Sequence, residues 1–347
     1  MVAANIRHMA LTIKSVVALL LAAPCASAAD GDFYKGKTIN LIVSADAGTG
    51  YDLYARTIAR HWPQKIPGAP NIIVQNMTGA GGLTATNLLY NVSSKDGLTL
   101  GLVQSTVPFE PFFGNKLANF DPLRFNWLGT PGQETSAVIL WHTVPVRNVQ
   151  EARERGLTMA ATGGASTPAF YGRVINALLG IPIKLIAGYK SQNEVFMGME
   201  RGENEGSAGT FYSTLKVNKP DWLAERKINI LLQYGNQPNK ELPGVPFVMD
   251  LIEDEQGRKI MEIASAPLAV GRPLVAPPGV AADRVALLRS TLEATFSDSA
   301  YLADCARQMI ACDTALSGAA IEEILKKAYA APVAARERLI KIYTDVQ

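Results

Sequence analysis

The 347-residue sequence is poor in cysteine and histidine, with three of each. His8 and Cys25 lie in an amino-terminal segment that we expect to be removed. The two cysteines that remain, Cys305 and Cys312, are too few for a disulfide framework or a thiol-rich metal site. There is no H-E-x-x-H motif, and no cluster of His, Cys and carboxylates has metal-ligand spacing. We therefore expect neither a metal nor a cofactor.

An excess of charge of either sign is also missing. The formal net charge is +2, and the first 28 residues hold two basic side chains and no acid, so the remainder is neutral. Without a basic stripe to neutralise phosphates, a nucleic-acid partner is not expected. The P-loop motif is absent, and the glycines at 79–82 lack the third glycine of a dinucleotide-binding loop.

No apolar run is long enough to span a bilayer, which takes about 20 residues. The run at 16–23 instead follows Arg7 and Lys14 and precedes Ala26-Ser27-Ala28, the order of a secretory signal peptide. We expect residues 1–28 to be a signal peptide cleaved after Ala28, and the protein to be periplasmic. Lipidation at Cys25 is a less favoured alternative, because a proline precedes that cysteine where a small residue is expected.

Strand-like and helix-like segments alternate along the rest of the chain, which predicts an α/β fold built from parallel βαβ units. The first helix is predicted at 51–62, and later helices at 284–296, 301–309 and 318–343. The predicted strands are 38–43, 72–75, 98–103, 137–142, 158–161, 184–186, 228–232 and 273–276.

About 319 residues are long for a single core, so we expect two domains. Proline and glycine interrupt the alternation of strands and helices at 130–132 and again at 235–246. We expect the chain to cross between the two domains at these two points. Domain 1 would then comprise 29–132 plus 241–347, and domain 2 would comprise 133–240. Two lobes joined in this way can close on a ligand.

Three small-residue loops lie between a predicted strand and a predicted helix. The first contains Thr49, Gly50 and Tyr51, the second is 79–82, and the third carries hydroxyls at Thr162, Ser166 and Thr167. A strand that ends in such a loop presents unpaired amides and the positive end of a helix dipole, which suits a carboxylate. The plainer alternative is a tight turn in which a side chain only caps the helix.

Side chains that could act as a nucleophile or a base in catalysis are scarce. Ser166 could act as a nucleophile with His142 as its base, but residues 164–168 lack the final glycine of a nucleophile elbow. We expect His142 and His61 to be structural. A secreted serine hydrolase therefore remains only an alternative, and we expect no enzyme activity.

Six elements in order resemble the extracytoplasmic substrate-binding receptors of tripartite tricarboxylate transporters, the Bug family. The likeness runs from about 33 to 343, and its elements are 47–52 (AGTGYD), 74–82 (VQNMTGAGG), 96–100 (DGLTL), 242–246 (LPGVP), 276–280 (APPGV) and the helix around 287–296. The resemblance implies a two-lobed, Venus-flytrap periplasmic-binding-protein fold. Such a protein binds a small organic acid between its lobes and presents it to membrane permease subunits.

The same resemblance implies a set of ligand-binding residues. The first loop and the segment after the third strand would supply one wall, and the third loop the other, which gives Thr49, Gly50, Tyr51, Gln104, Ser105, Thr106, Thr162, Gly163, Ser166 and Thr167. An acidic family position falls on Glu205, and Tyr189 is an aromatic candidate for the cleft.

The sequence leaves several points open. Tyr51 replaces a small side chain of the family, so aromatic acids, dicarboxylates and amino acids all remain possible ligands. A sensor kinase could replace the permease as partner, and we expect a monomer. Cys305 and Cys312 would lie about 10 Å apart on one straight helix, too far for a disulfide. They could bridge only if the helix ends near Met309.

Overall fold

The computed structural model describes residues 33–163, 166–189 and 191–344. The predicted signal peptide at 1–28 lies outside the described residues. The strands and helices, in chain order, are β1 (Thr38–Val43), α1 (Gly50–His61), β2 (Asn71–Asn76), α2 (Leu83–Asn91), β3 (Thr99–Leu102), β4 (Asn126–Thr130), β5 (Ser136–Trp141), α3 (Val149–Arg155), β6 (Leu157–Ala161), α4 (Thr167–Leu179), β7 (Ile183–Ala187), α5 (Gln192–Glu200), β8 (Gly206–Phe211), α6 (Tyr212–Asn218), α7 (Pro220–Ala224), β9 (Ile228–Tyr234), α8 (Glu255–Val270), β10 (Leu274–Ala276), α9 (Ala282–Phe296), α10 (Ser299–Arg307), β11 (Leu316–Ser317), α11 (Gly318–Tyr329) and α12 (Val333–Thr344).

The first sheet has the order β11-β4-β10-β3-β1-β2. Strand β1 is parallel to β2 and β3 on its two sides, and β10 is antiparallel to β3 and β4. The β1 side chains Ile39, Leu41 and Val43 are fully buried beneath helix α1 and its neighbours. A central strand covered on both faces is nearly continuously apolar, which is why its bounds were predicted correctly.

The second sheet has the order β7-β6-β8-β5-β9. Strand β6 is parallel to β7 and β8, whereas β5 is antiparallel to β8 and β9. Both sheets are therefore mixed: each contains the predicted parallel βαβ unit, β1-α1-β2 or β6-α4-β7, and antiparallel strands beside it. Both sheets are flanked by helices, as an α/β fold with two lobes requires.

Sequence patterns missed three strands, β4, β8 and β11. Strand β8 is glycine-rich because its neighbours leave no room for side chains. A Cβ at Gly209 would lie 2.7 Å from the backbone nitrogen of Pro168 on α4, and one at Gly206 would meet the carbonyl of Ile139. Close backbone approach, rather than strand propensity, explains this sequence.

The carboxy-terminal helices differ from the prediction as well. The segment predicted as one helix at 318–343 is two helices, α11 and α12, because Pro332 lies between them and cannot continue α11. Helix α8 was not predicted, and it begins where Asp254 accepts a hydrogen bond from the amide of Gly257. Of the helices in the described segments, none is long and apolar enough to cross a bilayer.

The strands of the first sheet come from residues 38–130 and 274–317, and those of the second sheet from 136–234. The predicted domain boundaries lie in the gaps between these ranges and stay a prediction. The last helices also reach the second lobe, since α12 packs against α4 and α8.

Cys305 and Cys312 form a disulfide, with their Cα atoms 6.3 Å apart. Helix α10 ends at Arg307, and Met309 adopts a positive φ of 55°, so the chain folds back. The open question about this pair is thus decided in favour of the bridge.

Candidate functional site

Loops from the two sheets line one cleft with a volume of about 810 Å³. Seven of the twelve predicted site residues lie in its wall. Thr49, Gln104, Ser105 and Thr106 come from the first sheet, and Thr162, Ser166 and Thr167 come from the second.

The topology explains why the first-sheet residues meet. Strands β1, β2 and β3 are parallel neighbours, so the loops after them leave the sheet at the same edge. Thr49, Ala80, Gly81 and Gln104 follow these three strands in turn. The carboxyl edge of an open α/β sheet is where ligands of such folds bind.

A polar network fixes the first loop. One carboxylate oxygen of Asp52 accepts hydrogen bonds from the Gly48 amide at 2.9 Å and from Arg56 Nε at 3.0 Å, and the other accepts from Asn76 Nδ2 at 3.0 Å. Burial opposes ionisation of Asp52, but the hydrogen bonds from Arg56, Gly48 and Asn76 outweigh it and lower the pKa of this carboxyl. Asp52 is therefore a charged anchor for the loop.

Two helices begin at the cleft without a side-chain cap. Thr49 is the N-cap residue of α1 and Ser166 that of α4, yet neither hydroxyl bonds to its own first turn. Thr49 Oγ1 donates to the Asp46 carbonyl at 2.7 Å, and Ser166 Oγ donates to the Gly163 carbonyl at 2.7 Å. The plainer alternative of capping by Thr49 or Ser166 does not hold, and the first-turn amides stay available to a ligand.

The segment after β3 is tied to the first loop from behind. The amide of Gln104 donates to Ser44 Oγ at 2.9 Å, and the amide of Ser105 donates to the Tyr51 hydroxyl at 3.0 Å. The Tyr51 ring lies 5.5 Å from the guanidinium of buried Arg272, which is also near Gly50. Tyr51 and Gly50 thus support the wall and do not line the cleft.

Three other predicted residues lie outside the lining. Gly163 accepts the bond from Ser166, and Tyr189 lines a separate surface pocket, where its hydroxyl accepts from Asn204 Nδ2 at 3.2 Å. Glu205 accepts hydrogen bonds from Arg155 Nη1 at 3.1 Å and from the Thr158 amide at 2.8 Å. Thr158 is near the start of β6, the opposite end of that strand from the Ser166 loop.

Sequence patterns missed a second group of lining residues. Most are aromatic or apolar and come from elements far apart in the chain, and no local motif marks them as a site. They are Glu110, Phe113, Asn115, Pro168, Phe170, Tyr171, Gln192, Gly209, Phe211, Thr214, Pro267, Leu268 and Tyr343. The other two lining residues, Ala80 and Gly81, belong to the glycine loop at 79–82 that the sequence did indicate.

The hydrolase alternative fails on topology. Ser166 follows the carboxyl end of β6, and His142 follows the carboxyl end of β5. Because β5 is antiparallel to β8 and β8 is parallel to β6, the two residues lie at opposite ends of the sheet. His142 therefore cannot act as the base for Ser166 in this fold. The other histidine, His61, contacts Asp304 at 2.9 Å on the far side of α1.

No group of three or more His, Cys, Asp or Glu side chains within the described part of the chain could hold a metal ion.

Comparisons with known proteins place this geometry in context. A 97-residue stretch, 28% of the chain, is 35% identical to Protein BugT of Bordetella pertussis, and the match spans 29% of BugT's length. A TctC solute-binding protein from Polaromonas superposes with a TM-score of 0.70 and 18% identity, covering 89% of this chain and 99% of that one. No protein-family model matches the chain.

The protein has the fold of the TctC and Bug solute-binding proteins. The periplasmic binding protein BugD superposes with a TM-score of 0.64 and 19% identity, covering 89% of this chain and 98% of that one. MatC from Rhodopseudomonas palustris with bound malate gives a TM-score of 0.62 and 17% identity, covering 88% of this chain and 99% of that one. The expected two-lobed α/β fold and the resemblance to Bug receptors are confirmed. The names of these relatives describe binding proteins, in agreement with the expectation of no enzyme activity.

Proposed function

We propose that this protein is a periplasmic receptor that captures a small organic acid between its lobes and delivers it to a permease of the tripartite tricarboxylate type. One observation carries the proposal. Loops from two separate sheets bring hydroxyl groups to the wall of a single cleft, and the N-cap residues of two helices without a side-chain cap, Thr49 and Ser166, lie in the same wall.

These donors suit a carboxylate. Thr49 and Ser166 begin helices of 12 and 13 residues, whose dipoles put partial positive charge at the cleft. Each hydrogen bond to a charged group contributes about 1.5–3 kcal/mol. A few of them would reach micromolar affinity, which corresponds to about 8 kcal/mol. The malate in the MatC structure supports the choice of an organic acid as the ligand class.

Binding can be tested directly with the chain from residue 29 onward. A thermal-shift screen against organic acids should find at least one that stabilises the protein, since a ligand at a hundred times its Kd adds about 2.7 kcal/mol. Calorimetry should then show weaker binding for Thr162→Ala and Ser166→Ala. Ser290→Ala, an exposed hydroxyl on α9 whose bond goes to its own helix, is the matched control.

Two results would refute the proposal. Either no organic acid stabilises the protein, or both cleft variants keep the affinity of the unchanged chain. Recovery of the ligand in altered form would instead point to catalysis, whereas a receptor returns it unchanged.

Delivery and oligomeric state need separate experiments. Cells that lack the receptor should lose uptake of the identified acid, and the unchanged protein should restore it. Uptake that persists without the receptor would contradict a role in transport. We propose that the receptor works as a monomer, and light scattering on the purified chain should give the mass of one copy.

A further inference from the structure

Beside the polar loops, the cleft has an aromatic wall formed by Phe113, Phe170 and Tyr343. The rings of Phe113 and Tyr343 are stacked, with centroids 4.3 Å apart and planes inclined by 15°. Phe170 meets both rings edge-on, with centroid distances of 6.1 Å to Phe113 and 5.8 Å to Tyr343. Because the three come from the segment after β3, from α4 and from α12, the wall is a product of the assembled fold.

The wall continues with Pro267 and Leu268 from α8 and with Phe211 at the end of β8. Phe170 and Leu268 are buried, whereas Phe113, Phe211 and Tyr343 are half-buried, so part of the apolar surface faces the open cleft. Burial of this surface against an apolar ligand body is favourable, and ring-to-ring contacts with an aromatic ligand add to that gain.

Tyr51, the aromatic side chain closest to the first loop, is not part of this wall. Its hydroxyl is held by the Ser105 amide and its ring by Arg272. An aromatic ligand in the cleft would therefore contact this wall and not the Tyr51 ring.

Charged side chains in the described lining of the cleft are of one sign, negative. Among the described residues that line it, Glu110 is the one with a charged side chain. Glu110 accepts a hydrogen bond from Asn115 Nδ2 at 2.8 Å, which holds it beside the aromatic wall. Glu110 and Tyr343 line the same cleft, and burial together with the Glu110 carboxylate raises the pKa of the Tyr343 phenol, against a smaller opposing effect of Arg173.

From this arrangement we infer that the ligand is a monocarboxylate with an aromatic body, and that Glu110 rejects a second carboxylate at the far end. The inference rests on the proposed function and narrows its ligand class. The carboxylate binds at the amino-terminal ends of α1 and α4, beside the lining hydroxyls of Thr106 and Thr162. The ring lies against Phe113, Phe170 and Tyr343. A dicarboxylate such as malate would leave that wall uncovered or bring its second charge towards Glu110.

A matched set of ligands tests the inference by calorimetry on the unchanged chain. Cinnamate has one carboxylate on an aromatic body, 4-carboxycinnamate adds a second carboxylate at the far end, and malate is short and lacks a ring. We expect cinnamate to bind at least about tenfold more tightly than either, because like charges in a shared site cost several kcal/mol.

Glu110→Gln isolates the charge effect. The amide oxygen of glutamine can still accept from Asn115, so the local structure should persist. We expect the variant to bind 4-carboxycinnamate about tenfold more tightly than the unchanged chain does, with cinnamate changed by less than about twofold. Glu323→Gln makes the same charge change at an exposed site on α11 and should leave both affinities as they were.

Phe113→Leu isolates the aromatic wall. Because leucine keeps the site apolar, the variant should fold, which a thermal melt checks. We expect it to lose about threefold to tenfold in cinnamate affinity, and the affinity for malate to stay the same.

The contrary outcomes are distinct. If malate or 4-carboxycinnamate binds as tightly as cinnamate, or if Glu110→Gln leaves the 4-carboxycinnamate affinity unchanged, the inferred ligand class is wrong while the receptor function stands. If no organic acid of either class binds, the proposed function fails with it.

Discussion

The two loops that meet at the cleft are held in different ways. The first-sheet loop depends on charge, because Asp52 joins the Gly48 amide, Asn76 and Arg56, and Arg272 lies beneath Tyr51. In the second-sheet loop, the Ser166 amide and hydroxyl donate to the Gly163 carbonyl, and the Ser166 carbonyl accepts from the Phe170 amide of α4.

The second-sheet loop is held in place by packing and not by charge. Helix α4, which begins at Ser166, buries Tyr171 against Tyr234 with stacked rings 4.4 Å apart, and the Tyr171 hydroxyl donates to the Ala264 carbonyl at 2.8 Å. One half of the site is therefore positioned by ion pairs, and the other half is positioned by an aromatic core. Substitutions of charge should therefore disturb the first loop, and substitutions of shape the second.

The largest effect is expected for Arg272→Met. Arg272 and Glu134 form a buried ion pair, each with about 6% exposure, and the guanidinium stacks 4.3 Å from the Tyr54 ring. Removing one partner of a buried pair leaves a buried charge and costs about 3–5 kcal/mol. Chemical denaturation should show this loss. The double variant Arg272→Met, Glu134→Leu should regain most of it, and a single variant as stable as the unchanged chain would contradict the role of the pair.

Among the charge substitutions, Asp52→Asn should come next, with a loss of about 2 kcal/mol in the free energy of unfolding, since hydrogen bonds to a charged group are removed. The folded-state pKa of Asp52 lies below its ordinary 3.8, so its contribution is present at neutral pH and is lost as the pH falls through the folded-state pKa. The difference between variant and unchanged chain should accordingly shrink in acid. We expect ligand affinity to fall as well, because the loop amides lose their anchor.

On the packing side, Tyr171→Phe should cost about 1 kcal/mol, the usual net value of one hydrogen bond, because the ring contact with Tyr234 is kept. Tyr171→Ala should cost about 3–5 kcal/mol, because it leaves a cavity beneath α4. Denaturation curves for the two variants compare the stability contributed by the Tyr171 hydrogen bond with that contributed by the packing of its ring. Equal losses would mean that the hydrogen bond, and not the aromatic core, positions the second loop.

The smallest effect on ligand affinity is expected for Asp304→Asn, which is the matched control for Asp52→Asn. Hydrogen bonds from His61 and Arg60 outweigh burial and lower the pKa of Asp304 to about 2. Its contribution is present above the ordinary value of 3.8 and is lost as the pH falls towards 2. We expect a loss of about 2 kcal/mol at neutral pH, similar to that of Asp52→Asn, because a buried carboxylate that accepts hydrogen bonds from Arg60 and His61 is removed. Ligand affinity should not change, and a loss of affinity equal to that of Asp52→Asn would remove the distinction between the two sites.

Much of the fold could be predicted from local pattern. The buried strand β1 and the first helix were found within one residue, because an apolar strand, a glycine loop and a proline after Trp62 mark their ends. Strand β8 could not be found, since its glycines serve contacts with Pro168 and Ile139 that only the assembled sheet defines. Helix α8 was missed despite its Asp254 cap.

The candidate site likewise has one part that could be predicted from local sequence and one part that depends on the assembled fold. Hydroxyl and glycine loops after strands are visible in the sequence, and seven of their predicted members line the cleft. Glu205 could not be judged from the sequence, because its pairing with Arg155 depends on the start of β6. Phe113 and Tyr343 lie 230 residues apart, and nothing local shows that their rings stack.

The sequence by itself determined the α/β class, the loops that follow the strands of the first sheet, and the scarcity of catalytic side chains. These features follow from hydrophobic periodicity, turn residues and composition, which are local. Only the tertiary structure decided that Tyr51 supports the cleft from behind, that Cys305 and Cys312 are bridged, and that aromatic side chains line the cleft beside Glu110. Each of these depends on contacts between distant segments, whose geometry is fixed only when the two sheets and the carboxy-terminal helices pack together.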